Sequence, residues 1–502
     1  MRDHSAQETF SATEMSQQRL SRRQALKLGI GALGTAATAL GILEAVASSP
    51  KRLAHAAPSN LPSIQYDISN YIAPVQTLSG IDFRFGPVYT LFVTAQLTRT
   101  PTKADQKIFS DVLDTIETSY TFSTSGLFTC ISYGIPYFNR LPGGLSGSLV
   151  ASHIPRLLSD TKRLALEEAV PGPTDVVPGN NSRDHAKQKF NVPVVIEKND
   201  LLFTLRSDSL DNLNSVVAWL KGGQRLNGQS VPSPAFAGLL NFTSTRLMFI
   251  QSGLPRKIAD FQKLPYAGRI HPDSPMWMGF ADQHVNGAGP AAITTFQGNP
   301  SARLTDATSQ SYFADGSIQH LSHVIEDLEQ FYADKEPFDE RVRYMFRANP
   351  IPSEGYADPF TNGGGPAFLA NTFQGPDDAL HNAQGINTFE GTPRICHLSG
   401  LQRSSRAADG TPMHIRADGP GFDTMDMPDG SDQPKLQFSI FVPTADFFAT
   451  MRQNAASLDY YRAYKHIKKK DIGLERFTTT TRRQNFLVPP RAHRAFPLLE
   501  LI

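Results

Sequence analysis

The run Tyr89-Thr90-Leu91-Phe92-Val93-Thr94-Ala95-Gln96-Leu97 is rich in β-branched and aromatic residues and predicts a strand. Pro101-Thr102 then opens a helix to about Tyr120, with Ile108, Val112 and Ile116 at helical spacing on one face. Residues 126–134, centred on Phe128, Cys130 and Ile131, predict a second strand that Gly134 and Pro136 end. A third strand is expected over 200–206 and a helix over 211–221, the helix carrying Leu213, Val216, Val217 and Leu220. A strand over 246–251 completes a β-α-β…β-α-β order, the plan of a ferredoxin-like unit. The polar, Pro/Gly/Asn-rich stretch 169–198 between them reads as a loop or lid.

The second half repeats the plan. Residues 317–324 and 436–442 read as strands, and 337–346 and 445–455 as helices. Residues 349–434 are dense in Gly, Pro and Asp, and a loop of that length is usually functional, such as a site wall or lid. The expected class is α+β: two similar halves, 57–255 and 256–502, packed sheet to sheet.

The N-terminus adds an address. Arg22 and Arg23 precede an uncharged, mostly apolar stretch over 28–43, and Ala54-His55-Ala56 offers a small-x-small cleavage site. Residues 1–56 therefore read as a twin-arginine export signal, with an uncleaved anchor as the alternative. That route, through the twin-arginine translocase, carries proteins already folded, and is often used when a cofactor is loaded first. The mature chain is expected at the periplasm, at the cell surface or secreted, without a later membrane span. Lys and Arg number 48 against 47 Asp and Glu, so no nucleic-acid footprint is visible. Two cysteines allow at most one bridge, and Cys130, inside an apolar run, reads as a buried thiol.

Candidate chemistry centres on two segments. One is Gly279-Phe280-Ala281-Asp282-Gln283, after Pro275-Met276-Trp277-Met278; the other is Pro412-Met413-His414-Ile415-Arg416. Alone, the Gly-x-x-Asp piece reads as an Asx turn and His414 as an ordinary histidine. The run Gly144-Leu145-Ser146-Gly147 lacks the strand-to-helix setting of a nucleophile elbow.

Taken in order, these segments resemble the dye-decolourising peroxidase family. Gly134-Ile135-Pro136-Tyr137-Phe138, Asp200-Leu201-Leu202-Phe203, and Gly316-Ser317 through Glu326-Asp327-Leu328-Glu329-Gln330-Phe331 agree with it, from about Tyr89 to Phe496. The resemblance implies two ferredoxin-like halves packed as a dimeric α/β-barrel around haem b. It implies Asp282 as the distal acid/base, His414 as the axial iron ligand, and Gly279, Phe280 and Arg416 as further cofactor contacts. Hydrogen peroxide and a small organic electron donor would be the substrates. One neutral imidazole with the opposite iron position open suits peroxide binding, and a nearby carboxylate can shuttle its proton. Asp423, Asp426 and Asp429 are candidates to hold the other ring nitrogen of His414.

Two positions depart from the family pattern. Gln283 replaces the motif's closing glycine, and residues 421–434 lack the distal arginine, leaving only Lys435 as a cation. Loss of such a group typically costs about 10²–10³ in rate. Arg394, Arg403 and Arg406 are candidate substitutes, His284 a substitute base, and His397 a second candidate for the iron. His320 and His323, three apart on a strand, are expected on opposite faces. The alternatives are a haem-handling protein with little turnover, and a barrel without cofactor in which His414 is structural.

Overall fold

Strand β1 (Tyr89–Leu97) is buried everywhere except Gln96, as expected of a run with almost no strongly polar side chain. Helix α1 (Lys103–Ser119) starts where Thr102 and Asp105 form a capping box. The Thr102 hydroxyl accepts from the Asp105 N–H, and the Asp105 carboxylate accepts from the Thr102 N–H at 2.7 Å. Its apolar stripe is Phe109, Val112, Leu113 and Ile116. Strand β2 (Phe128–Gly134), strand β3 (Leu201–Ser207), helix α2 (Leu210–Leu220) and strand β4 (Leu240–Phe249) complete the first set. Beyond Gly134 the chain enters a short helix, Ile135–Arg140; Pro136 sits in its first turn, where no backbone N–H is missed. Strand β4 begins earlier than the apolar run suggests, because Asn241 and Thr243 face solvent there.

The computed structural model describes residues 61–72, 76–78, 81–83, 86–178, 187, 189–234, 238–279, 290–298, 303–333, 335–336, 338–345, 395–397, 403, 407 and 412–502. The expected export signal, Phe280, Asp282, Gln283, His284, Arg394 and Arg406 lie outside these residues.

The second set runs strand β5 (Ser317–Glu326), helix α3 (Phe338–Met345), strands β6 (Ile415–Arg416), β7 (Gly419–Asp423) and β8 (Gln433–Val442), helix α4 (Ala445–Ala456) and strand β9 (Thr478–Val488). Strands β6 and β7 correct the expectation of an irregular loop from 349 to 434. The large sheet has the order β6-β8-β5-β9-β2-β3-β1-β4, with β7 also paired to β8. These pairings are antiparallel; the short strand Val195–Ile196 alone among the described strands joins in parallel, on β9.

Each set therefore orders its strands alike, second-third-first-fourth, once β6 and β7, which take successive stretches of one edge of β8, are counted as a single second strand. Between sets, β9 pairs with β2 at Phe486↔Gly134 and Leu487↔Tyr133. On the other side β7 lies against β4: a Cβ on Gly419 would stand 3.1 Å from the Phe249 carbonyl oxygen, and one on Gly421 3.0 Å from that of Leu247. On the sheet face turned away from the main core, Phe92, Leu202, Met248, Leu321 and Phe486 pack as an apolar layer. Beside it Gln319 bonds Ser132, Thr204 and Ser439. The main apolar core lies between the strands and the helices. Among the described residues no helix is long and apolar enough to cross a membrane. Cys130 and Cys396 are both buried and are not joined by a disulfide.

Candidate functional site

A cavity of about 1050 Å³, its open mouth included, lies between the second set's strands and helix α4. Ser322, Val324 and Glu326 of β5 and Leu436, Phe438 and Ile440 of β8 form its floor at the two-residue spacing of a strand face. Thr478, Thr480 and Arg483 of β9 continue it. The change of parity at Arg483 follows from a bulge, since the register jumps from His323↔Arg482 to Val324↔Thr480. Phe448, Met451 and Arg452, at helical spacing on α4, form the roof. The floor and roof are mostly apolar, and the ends are charged.

At one end Arg483 holds Asp175 through two bonds of 2.6 and 2.9 Å and donates to Ser322 at 3.1 Å. Arg452 pairs with Glu475 at 3.0 Å, and the Thr174 hydroxyl also donates to Glu475. Lys187 donates to the Glu475 carbonyl at 3.2 Å and to the Thr478 carbonyl. Burial brings its ammonium down to about 8 despite the Glu475 and Asp175 charges. The segment read as a loop or lid, 169–198, thus supplies a cavity wall through Thr174 and Lys187.

His414 lies buried on the same cavity, just before β6, and Arg416 and Asp418 follow it there. His397 also lines it. Met278 reaches the cavity from the stretch that leads into the Gly-x-x-Asp segment. That stretch is pinned by Trp277, whose indole N–H donates to the Gly421 carbonyl of β7 at 2.9 Å. Gly279 has φ +80°, and a Cβ there would meet the Tyr332 hydroxyl at 2.9 Å. Of the predicted site residues, His414 and Arg416 come together on the wall and Gly279 adjoins it through Met278; Phe280 and Asp282 lie outside the described residues.

Several expectations are corrected. The acids proposed to hold His414 serve elsewhere: Asp423 lies 3.4 Å from His323, Asp426 pairs with Arg482 at 2.7 Å, and Asp429 closes a turn on Ser431. Lys435 does not reach the cavity, because its neighbour Leu436 takes that face. Its ammonium donates to the Met425 carbonyl at 2.8 Å on the opposite side of the sheet. Arg403 pairs with Asp459. His320 and His323 do fall on opposite faces, and neither lines the cavity. The His320 ring stacks on Phe448 at 3.8 Å, with Ser322 and Asn485 on its nitrogens at 2.6 and 2.7 Å. Burial, then the Arg483 charge, keeps that imidazole neutral. The charged cavity residues missed from sequence are Lys187, Glu326, Asp418, Arg452, Glu475 and Arg483. Glu326 and Arg452 left a signal, since each falls in phase with apolar neighbours on one face; Arg483 left none, because a bulge turns it inward.

Among the described residues no three His, Cys, Asp or Glu side chains are grouped to hold a metal ion. Among the described residues the cavity offers an iron the imidazoles of His397 and His414, beside the carboxyls of Glu326, Asp418 and Glu475 and the thioethers of Met278 and Met451; a single imidazole suits a haem iron. The apolar floor and roof with cations beside them also suit a flat macrocycle with acidic edges.

No curated protein matches this chain. Among solved structures it is similar to the encapsulated DyP-type peroxidase from Mycobacterium smegmatis, at 14% identity and a TM-score of 0.46, covering 82% of this chain and 95% of that one. A dye-decolorizing peroxidase from Bacteroides thetaiotaomicron is similar at 14% identity and TM-score 0.46, over 82% of this chain and 94% of that one. A variant of Rhodococcus jostii DypB in complex with heme is similar at 12% identity and TM-score 0.43, over 82% and 96% of the two chains. The model of the DUF7405 family matches residues 172–490, more than half of the chain and all of the cavity's elements from Thr174 to Arg483, so this protein belongs to DUF7405, a family of unknown function.

Proposed function

We propose that the cavity holds haem b and that the protein is an exported, haem-dependent, peroxidase-like oxidoreductase. The observation that carries this is the His414 imidazole on the wall of a slot floored by Leu436, Phe438 and Ile440 and roofed by Phe448 and Met451. The like strand order of the two sets, with β9 on β2 and β7 on β4, supports reading them as ferredoxin-like halves closed into a barrel. The resemblance of the Gly279 and His414 segments to dye-decolourising peroxidases supplies the roles.

In this reading His414 would hold the iron, and Arg416 would supply a cation for the acidic groups of the haem. Haem, when bound, supplies the redox chemistry that couples reduction of hydrogen peroxide to oxidation of a small organic donor. Asp282 takes a proton from one peroxide oxygen and returns it to the other. The apolar floor and roof exclude water from the reacting space. Arg22-Arg23 and the stretch after them support export of the folded protein through the twin-arginine translocase.

Expression with its own signal and ample haem tests this. A Soret band is expected in protein recovered outside the cytoplasm, lost in His414→Ala and kept in Asp282→Asn, which instead slows peroxide-dependent dye oxidation by about 10²-fold or more. A second reading has His397, on the same cavity, as the ligand; it predicts that His397→Ala, and not His414→Ala, removes the band. A band kept in both single variants, or absent from the wild type, ends the haem reading of this cavity.

A further inference from the structure

Glu326 ends strand β5 on the cavity floor, in phase with Val324 and Ser322, so its carboxyl shares their space. It is 5% exposed, and among the described residues no cation or hydrogen-bond donor pairs with it. Burial alone pushes its pKa up to about 8. Near neutrality it is a carboxylic acid with one O–H to donate.

Its neighbours place it at the Gly279 end. The Glu326 carboxyl, when ionised, is near enough to raise the Tyr266 phenol, which stacks on Tyr332 at 5.8 Å. The Tyr332 hydroxyl donates to the Trp277 carbonyl at 2.9 Å and abuts Gly279, from which the chain leads to Asp282. The charged groups on the other elements around the cavity are engaged elsewhere or lie apart. Lys187 and Arg452 are held at Glu475 and Arg483 at Asp175, while Arg416 and Asp418 come from β6 and the residues after it. None of these charges shifts the Glu326 carboxyl. Among the described residues the imidazoles of the cavity are His397 and His414.

We propose that Glu326 contacts the bound small ligand: its carboxylic O–H donates to the oxygen or halide that enters at the Gly279 end of the haem-loaded cavity, the duty for which residues 421–434 supply no arginine. This rests on the haem reading above.

Fluoride, titrated into the haemin-loaded protein and followed by absorption, is the probe. Glu326→Leu should weaken fluoride binding about tenfold or more with the Soret band unchanged. Glu326→Gln still offers an N–H and should bind fluoride as the wild type does at neutral pH. As pH rises past about 8 hydroxide competes with fluoride in every variant, and the wild type should lose more fluoride affinity than the Gln variant does. Equal affinity in wild type and Leu variant overturns the assignment, as does an alkaline loss as large in Glu326→Gln as in the wild type. A wild type that takes up no haemin fails before fluoride is added; that outcome removes the haem reading and this assignment together.

Discussion

At Gly279 the backbone occupies the left-handed region, which costs a residue with a Cβ about 1–2 kcal/mol. The Tyr332 hydroxyl, fixed by its bond to the Trp277 carbonyl, blocks the same space. Gly279→Ala should therefore lower stability by about 1–3 kcal/mol, read as a shifted denaturant midpoint at unchanged slope. It should also displace Met278 from the cavity wall and weaken haemin uptake. A midpoint equal to that of the wild type would show that the turn relaxes freely. The sequence singled out this glycine through its motif, but the reason for it lies in Tyr332, more than fifty residues away, which no local pattern displays. Arg452 and Arg483 show the converse. Arg452 shares a helix face with Phe448 and Met451, and a charge within an apolar stripe was a readable sign. Arg483 needed the bulge at 480–482 to turn inward, and that bulge is set by pairing with β5.

Among elements, β1 is legible residue for residue and β7 is not. Strand β1 carries aromatic and β-branched residues wherever it packs. Strand β7, Gly-Pro-Gly-Phe-Asp, has the composition of a turn, yet it pairs with β8 over its whole length. Its glycines are there because a neighbouring backbone is close. A Cβ on Gly421 would stand 3.0 Å from the Leu247 carbonyl and from the Gln437 amide nitrogen. Gly421→Val would favour a strand by intrinsic propensity, and it should nevertheless destabilise by about 1–3 kcal/mol by forcing β7 away from β4. Because Trp277 donates to the Gly421 carbonyl, the same change should alter the near-ultraviolet circular dichroism of that indole. A stabilised variant with an unchanged aromatic spectrum would mean that β7 and β4 do not meet as described. Pairing across sets is a tertiary fact, so the Gly-rich segment could not be told from a loop in the sequence.

At the scale of the molecule, the two sets are tied by charges as well as strands. Arg246 of β4, fully buried, donates to both Glu197 oxygens at 2.5 Å, and Glu197 lies 3.3 Å from Arg482 of β9. Arg482 holds Asp426 at 2.7 Å, and the His323 ring lies between Asp426 at 3.5 Å and Asp423 at 3.4 Å. Burial opposes ionisation of Asp426, but His323 and Arg482 outweigh it and hold that carboxyl well below its ordinary range. Removing one member of a buried pair leaves the other charge uncompensated, so Glu197→Leu alone should cost about 3–5 kcal/mol. Arg246→Met alone should cost a comparable amount. The double variant removes both charges and fills the space with apolar atoms, so it should recover most of that loss, with Arg482 still held by Asp426. Chemical denaturation of the four proteins gives the coupling directly. Additive losses would mean that Arg246 and Glu197 act independently, and that the strands alone, without this buried pair, hold β4 and β9 in place.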